Sequence, residues 1–412
     1  MFRSALICFV AAGLATGLAA AGAVRPELES AVQAILAVGP EGEGNEAAGK
    51  AWSVLATAAP EELALLFRSL DGASPVQSNY LRSAIEASVE RVDAAKRDTL
   101  ATLLRNLLGD RTRSVPSRNL AYEVLGAVAP GAREALLPGM LEDPSEFLRR
   151  DAVQRLLEQA KAAGGAQANP DAARPLLQEA LQHARDVEQV RDVAQRLEKM
   201  GAPVDLPRHF GFLTHWQVIG PFDNTKREGF ACVEPPETVP DLSKTYPGKH
   251  GPVTWKPWAS GDAFGKVDFN EALGMEKEVL AYALAEFESD AAREVELRLG
   301  TKNAWKLWLN GKLLFERDEY HRGQKIDQYR IKAALQPGKN LILMKACQDE
   351  QTQAWTVEWE FQLRVCDATG TAVLAKNRLP TPPRQAPRRR PAPAAASPAP
   401  ASVPVPAATQ PK

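Results

Sequence analysis

The chain carries 50 basic and 51 acidic residues in a length of 412, a formal net charge of −1. That balance excludes a bulk electrostatic field for nucleic acid or an anionic membrane. The length is too great for one hydrophobic core and predicts two or three domains.

Residues 1–23 read as a secretory signal. Arg3 supplies a positive start, Ala5 to Leu18 an apolar core, and Ala21-Gly22-Ala23 a small-x-small cleavage site. The protein is therefore expected to be secreted or periplasmic. No other stretch approaches the ~20 apolar residues of a membrane span, so none is expected after cleavage. Beyond Cys8, the cysteines are Cys232, Cys347 and Cys366. Three is odd, so at most one intrachain disulfide is expected. A bridge from Cys232 to either of the others and three buried thiols both fit the sequence.

Residues 25–201 have apolar spacings of three and four broken by Gly, Pro and Asp, which predicts helices. Leucine pairs at Leu65-Leu66, Leu103-Leu104, Leu136-Leu137 and Leu176-Leu177 recur at 38, 33 and 40 residues, the period of a helix pair. Second helices are expected around Leu81–Ile85, Leu120–Leu125, Ala152–Leu157 and Val193–Leu197. The unit ALLPGMLEDPSEFLRRDAVQRLLE around Leu136 resembles a HEAT repeat. The resemblance implies a stacked α-solenoid, whose surface would take a protein partner or simply support its neighbour. Arg149, Arg150, Arg155, Arg191 and Arg196 are read as partners of Asp151, Asp192 and nearby Glu residues.

A polar, Pro-marked boundary over 202–209 precedes a change of character. Seven of the eight tryptophans lie between Trp216 and Trp359, and the segment 210–375 reads as short strands. In its centre, Trp305-Lys306-Leu307-Trp308-Leu309 and Leu313-Leu314-Phe315 flank Asn310-Gly311, the strongest local signal for a type I′ hairpin. Further strands are expected over 212–219, 253–257, 279–288, 294–299, 326–332, 340–347 and 356–366, with a long Pro-rich loop over 232–251. Strands at this density without crossover helices predict an antiparallel sandwich.

The order Trp216…Gly220-Pro221-Phe222-Asp223, Ala281-Tyr282-Ala283, Trp308-Leu309-Asn310-Gly311-Lys312 and Gly338-Lys339-Asn340-Leu341 resembles a β-sandwich module of secreted, planctomycete-like bacterial proteins. That module is akin to galactose-binding-like and protective-antigen-type lectin domains. The resemblance implies a jelly roll and carbohydrate binding. Adjacent acids common before the Trp-Leu-Asn-Gly strand are replaced here by Gly300-Thr301-Lys302-Asn303, so calcium lacks its usual ligands. No cofactor is otherwise expected.

Sugar rings offer C–H faces to flat aromatics and hydroxyls to carboxylates, amides and guanidinium groups. Trp255 and Trp258, near a loop, and the polar run Asp318, Tyr320, His321 and Arg322 are therefore the candidate ligand residues, expected to converge with Asn303 at one end of the sandwich. Trp216, Trp305, Trp308, Trp355 and Trp359 are read as core. No nucleophile elbow, phosphate loop or zinc pattern occurs, so no catalytic residue is assigned.

From Pro380 on, 11 of 33 residues are proline, and 376–412 reads as a disordered Pro/Ala-rich tail. The expected whole is multidomain α and β: a HEAT-like α-solenoid, an antiparallel jelly-roll-like β-sandwich and the tail. The expected function is non-enzymatic extracytoplasmic binding of a glycan or cell-envelope polysaccharide through the sandwich, with a protein partner on the solenoid. The competing reading is a scaffold that binds only protein; a glycan-acting hydrolase has less support.

Overall fold

A computed structural model describes residues 24–163 and 170–383; the signal segment, Cys8 and most of the Pro/Ala-rich tail lie outside them. The described chain divides into two compact units, one ending at Arg196 and one starting at Leu197.

The first unit is helical. Its elements are α1 (Pro26–Leu36), α2 (Asn45–Leu55), α3 (Leu63–Ser69), α4 (Pro75–Glu90), α5 (Arg97–Gly109), α6 (Val115–Val128), α7 (Ala132–Leu136), α8 (Glu146–Ala162), α9 (Pro170–His183) and α10 (Val187–Lys199), whose last turn enters the second unit. The aligned leucine pairs sit at α3, α5, the α7 region and α9, and the predicted second helices are α4, α6, α8 and α10. Serine caps explain where three of them start. Ser74 forms a reciprocal capping box with Gln77, and Ser114 and Ser145 each accept a backbone N–H from the first turn. One apolar core runs from Leu28 to Ala152.

Polar ties join successive pairs. Ser117 Oγ donates to the Phe67 carbonyl at 2.9 Å, and Gln189 Nε2 to the Arg150 carbonyl at 2.8 Å. The basic residues are mostly spoken for, though not always by the neighbours expected: Arg196 pairs with Asp192 at 2.7 Å, while Arg150 reaches Asp186 and Glu188 of the next pair.

The second unit is antiparallel β. Its strands are β1 (His215–Asp223), β2 (Thr245–Gly248), β3 (Gly251–Thr254), β4 (Lys256–Ala259), β5 (Val267–Asp268), β6 (Val279–Ser289), β7 (Arg293–Thr301), β8 (Ala304–Leu309), β9 (Lys312–Arg317), β10 (Tyr329–Leu335), β11 (Gly338–Gln348) and β12 (Glu360–Cys366). A six-stranded sheet has the order β4-β1-β6-β11-β8-β9, a four-stranded sheet β10-β7-β12-β5, and β2 pairs with β3. Trp216, Ala283, Trp305 and Met344 of the first sheet share one core with Leu297, Phe361 and Leu363 of the second. The turn after β8 is as its residues require, with φ of +52° at Asn310 and +79° at Gly311.

Several expectations need correction. The boundary at 202–209 runs into a short helix, Leu206–Phe210, capped by Asp205. The Pro-rich stretch 232–251 holds a helical turn, Pro235–Thr238, and β2. Cys347 and Cys366 lie on strands of different sheets, and all three described thiols are free, Cys232 being exposed rather than buried. The ordered chain also runs past 375. Lys376 N donates to the Glu288 carbonyl at 2.9 Å, and Arg378 Nη1 to the Phe212 carbonyl at 2.8 Å.

In the helical unit, Arg118 and Asp143 form a bidentate ion pair with both side chains 2% exposed. Removing one partner strands a buried charge, so Asp143→Ala should cost about 3–5 kcal/mol in chemical denaturation; a cost below about 1 kcal/mol would show the pair to be dispensable.

Candidate functional site

Strands β6, β11 and β8 are buried on both faces. Ala281, Ala283 and Ala285 point into the core between the sheets, while Leu280, Tyr282 and Leu284 join a second cluster on the opposite face. Phe222, Phe230, Tyr246 and Trp255 belong to that second cluster, so the chain from Asp223 to Trp255 forms a strap over the six-stranded sheet. A charge fixes it there. Lys345, fully buried on β11, donates to the Cys232 carbonyl at 2.8 Å and the Phe230 carbonyl at 3.3 Å, and pairs with Glu237 at 2.8 Å. Tyr282 also donates its hydroxyl to Glu237, at 2.5 Å.

Between the far end of this strap, the edge strand β4 and the C-terminal segment lies a groove of about 460 Å³, within the size range of small-ligand sites. Trp258 of β4, half-buried, forms one wall, and Pro240 and Leu242 of the strap another. Leu284 and Leu341 are also apolar lining, and His215, Gln217, Glu286, Asn377 and Arg378 supply polar groups. Burial, and then the Arg378 charge, hold the His215 imidazole below its ordinary pKa, so it is neutral near pH 7 and can both donate and accept. Burial also lowers the Arg378 value. Two donors in the lining residues, Trp258 Nε1 and Arg378 Nη2, are buried without an acceptor.

A second polar cluster forms at Asp349, just beyond β11. Its side chain is fully buried. Oδ1 meets His321 Nε2 at 2.8 Å, and Oδ2 accepts from Arg227 Nη2 at 3.0 Å. Arg227 also grips Glu350 at 2.7 Å and lies over the Tyr320 ring, and that guanidinium holds the Glu350 carboxyl below its usual range. The loops here carry unusual backbone: φ is +58° at Lys226, +66° at Arg227, +54° at Glu278 and +59° at His321, each a costly conformation for a side-chain-bearing residue.

The predicted residues do not converge as expected. Trp258 lines the groove, whereas Tyr320 and His321 belong to the Asp349 cluster. These are separate places, because β4 and β9 are opposite edges of the sheet. Trp255 is 8% exposed and packs under the strap. Asn303 is buried in a structural role: its amide donates to the Glu358 carbonyl at 3.2 Å and its oxygen accepts from Glu360 N at 3.1 Å. Asp318 is exposed, and Arg322, also exposed, pairs with its neighbour Glu319 at 3.1 Å. Trp355, read as core, is 59% exposed on a helical turn, edge-on to His321. Sequence reasoning missed His215, Gln217, Asn377 and Arg378. Only the alternation along β1 put the first two on one face, and no local signal placed the C-terminal pair beside them.

Among the described residues, no group of three or more His, Cys, Asp or Glu is placed to hold a metal, and no helix is long and apolar enough to cross a membrane. Burial pushes the Cys347 thiol up to about 12 and the Cys366 thiol up to about 11. A maleimide at neutral pH should therefore label Cys232 and spare both. Cys347 lies beneath the strap, so Lys345→Met should loosen the strap and make Cys347 reactive before global unfolding. Unchanged protection of Cys347 in that variant would show that Lys345 does not hold the strap.

No protein family matches the chain, and no curated protein matches its sequence. A solved structure it resembles weakly is the GH31 alpha-xylosidase (Xac1773) from Xanthomonas citri, at 12% identity and a TM-score of 0.18, over 38% of this chain. The chain spans 16% of that protein's length.

Proposed function

We propose that this is an extracytoplasmic, non-enzymatic glycan-binding protein whose ligand lies in the Trp258 groove. In this reading the two β-sheets form a jelly-roll-like sandwich, the helix pairs stack as a HEAT-like solenoid, and residues 1–23 direct export. The observation that carries the proposal is the groove itself: half-buried Trp258 is part of the lining of a cleft of about 460 Å³ that brings apolar and hydrogen-bonding residues together. A pyranose can lay its C–H face on Trp258. Gln217, neutral His215 and Asn377 both donate and accept, which suits hydroxyls; Glu286 accepts and Arg378 donates. Glu286 and Lys339 pair across the rim, half-exposed, where an incoming hydroxyl can exchange with either at little cost.

The Asp349 cluster is assigned a structural role here. Its buried carboxylate already serves a histidine and an arginine, and these contacts pin three loops in strained backbone. One specific observation favours a protein partner on the helical unit as well. Val76, Val115 and Phe147, at 37%, 39% and 40% exposure, all lie in the first turn after the serine caps of α4, α6 and α8. They form a repeated apolar feature that a partner could cover.

The test is retention on immobilised cell-envelope polysaccharides, compared across variants. Trp258→Ala should weaken retention at least about tenfold, or roughly 1.4 kcal/mol, while Arg322→Ala leaves it unchanged. Retention lost in Arg322→Ala but kept in Trp258→Ala would move the ligand to the other end of the β unit. Retention of neither wild type nor variants on any glycan, with a partner captured only through Val115 and Phe147, would favour the scaffold reading.

A further inference from the structure

The groove has a feature that a sugar site does not require: the chain's own C-terminal segment is part of its lining. Ala375, Asn377, Arg378 and Leu379 lie along it, Leu379 is 56% exposed, and the described chain ends four residues later at Pro383. Another 29 residues follow, 384–412. Their first part is basic, with Arg384 and Arg388-Arg389-Arg390. The stretch Pro391–Pro406 that comes next is uncharged and built only from Pro, Ala, Ser and Val.

We propose that this stretch, residues 391–406, docks in cis into the Trp258 groove and competes there with any other ligand. Three observations support that occupant over others. The first is chemical complementarity of shape and polarity. Proline-rich chains favour an extended helix without internal hydrogen bonds and dock on aromatic-lined grooves, and Pro257, Trp258, Pro240 and Leu242 provide such walls.

The second is hydrogen-bond matching. Six of the 16 residues are proline and have no N–H, so the stretch has a surplus of carbonyl acceptors. The groove lining can answer those carbonyls with the N–H groups of Gln217, Asn377 and Lys339. The third is reach. Seven residues separate Pro383 from Pro391, eight Cα-to-Cα steps that span up to ~28 Å when extended, while Leu379 already lies on the groove. A tether of this length gives an effective concentration of order millimolar. Even an intrinsic dissociation constant of about 0.1 mM would keep the site mostly occupied.

The docking does not rest on the glycan reading, and its test does not use a glycan. A labelled peptide of residues 391–406 is titrated into the full chain and into a full-length variant whose 391–406 is replaced by a Gly-Ser sequence of equal length. The replaced chain should bind the peptide saturably, and the natural chain at least about tenfold more weakly because its own tail is in place. In the replaced chain, Trp258→Ala should abolish the binding, and so should Leu242→Ser, a change at a residue 49% exposed on the strap that leaves the core intact. Equal binding by natural and replaced chains, no binding by the replaced chain, or binding indifferent to both substitutions would each overturn the proposal. So would dimers of the natural chain that vanish on replacing 391–406, since the tail would then act in trans.

Discussion

The β unit depends on a buried lysine. A six-stranded sheet whose central strands are apolar on both faces needs cover on both. The four-stranded sheet covers one face, and the other has only an irregular strap rich in proline. Apolar contact alone specifies an irregular chain poorly, because many registers bury similar area. Lys345 removes that freedom. All three of its protons are directed, two to carbonyls of the strap and one to Glu237. A fully buried ammonium tolerates no register that leaves a proton unpaired. The arrangement is weak evidence for stability and better evidence for specificity, since an apolar residue of similar size could fill the space without fixing the strap's path.

That constraint also shapes the groove. Pro240 and Leu242 stand at one wall because Glu237, a few residues earlier, is held against Lys345 and Tyr282. The opposite wall, Trp258, is set by the edge pairing of β4 with β1, in which Trp258 lies across from Trp216. The groove is thus where the strap, an edge strand and the departing C-terminal segment meet. Such junctions leave concave surface, because no regular element runs through to fill them. The Asp349 cluster is a comparable solution at another point. One buried carboxylate ties the loops around Arg227, His321 and Glu350, and the strained φ values there are tolerated because several hydrogen bonds over-determine the backbone.

How much of this was legible in the sequence follows the range of the signals. The Asn310-Gly311 hairpin was readable because turn chemistry is local, and most strand runs were readable because alternation and Gly or Pro punctuation are local, though 253–257 straddles the break between β3 and β4 and the short β2 and β5 were not read. The helix pairs were readable from leucine spacing. The meeting of Trp258 with Tyr320 and His321 was misjudged because strand order is a long-range property: nothing within either segment says that β4 and β9 occupy opposite edges. Trp355 was misread for a related reason. Its segment alternates like a strand, but Gln348 and Asn303 bind the carbonyls of Thr356, Val357 and Glu358, and β12 begins only at Glu360. Arg378 and Asn377 were unreadable as site residues because the proline content that follows them marks the whole segment as tail.

The Trp258 groove is proposed as the place where the β unit meets its ligand. Hydrogen–deuterium exchange on the full-length chain, with and without a retained polysaccharide, tests it most directly. A ligand in the groove should slow exchange in residues 213–217 and 256–259 and leave 318–322 and 349–356 unchanged. Protection confined to 318–322 and 349–356, or to the helix starts of α4, α6 and α8, would contradict it.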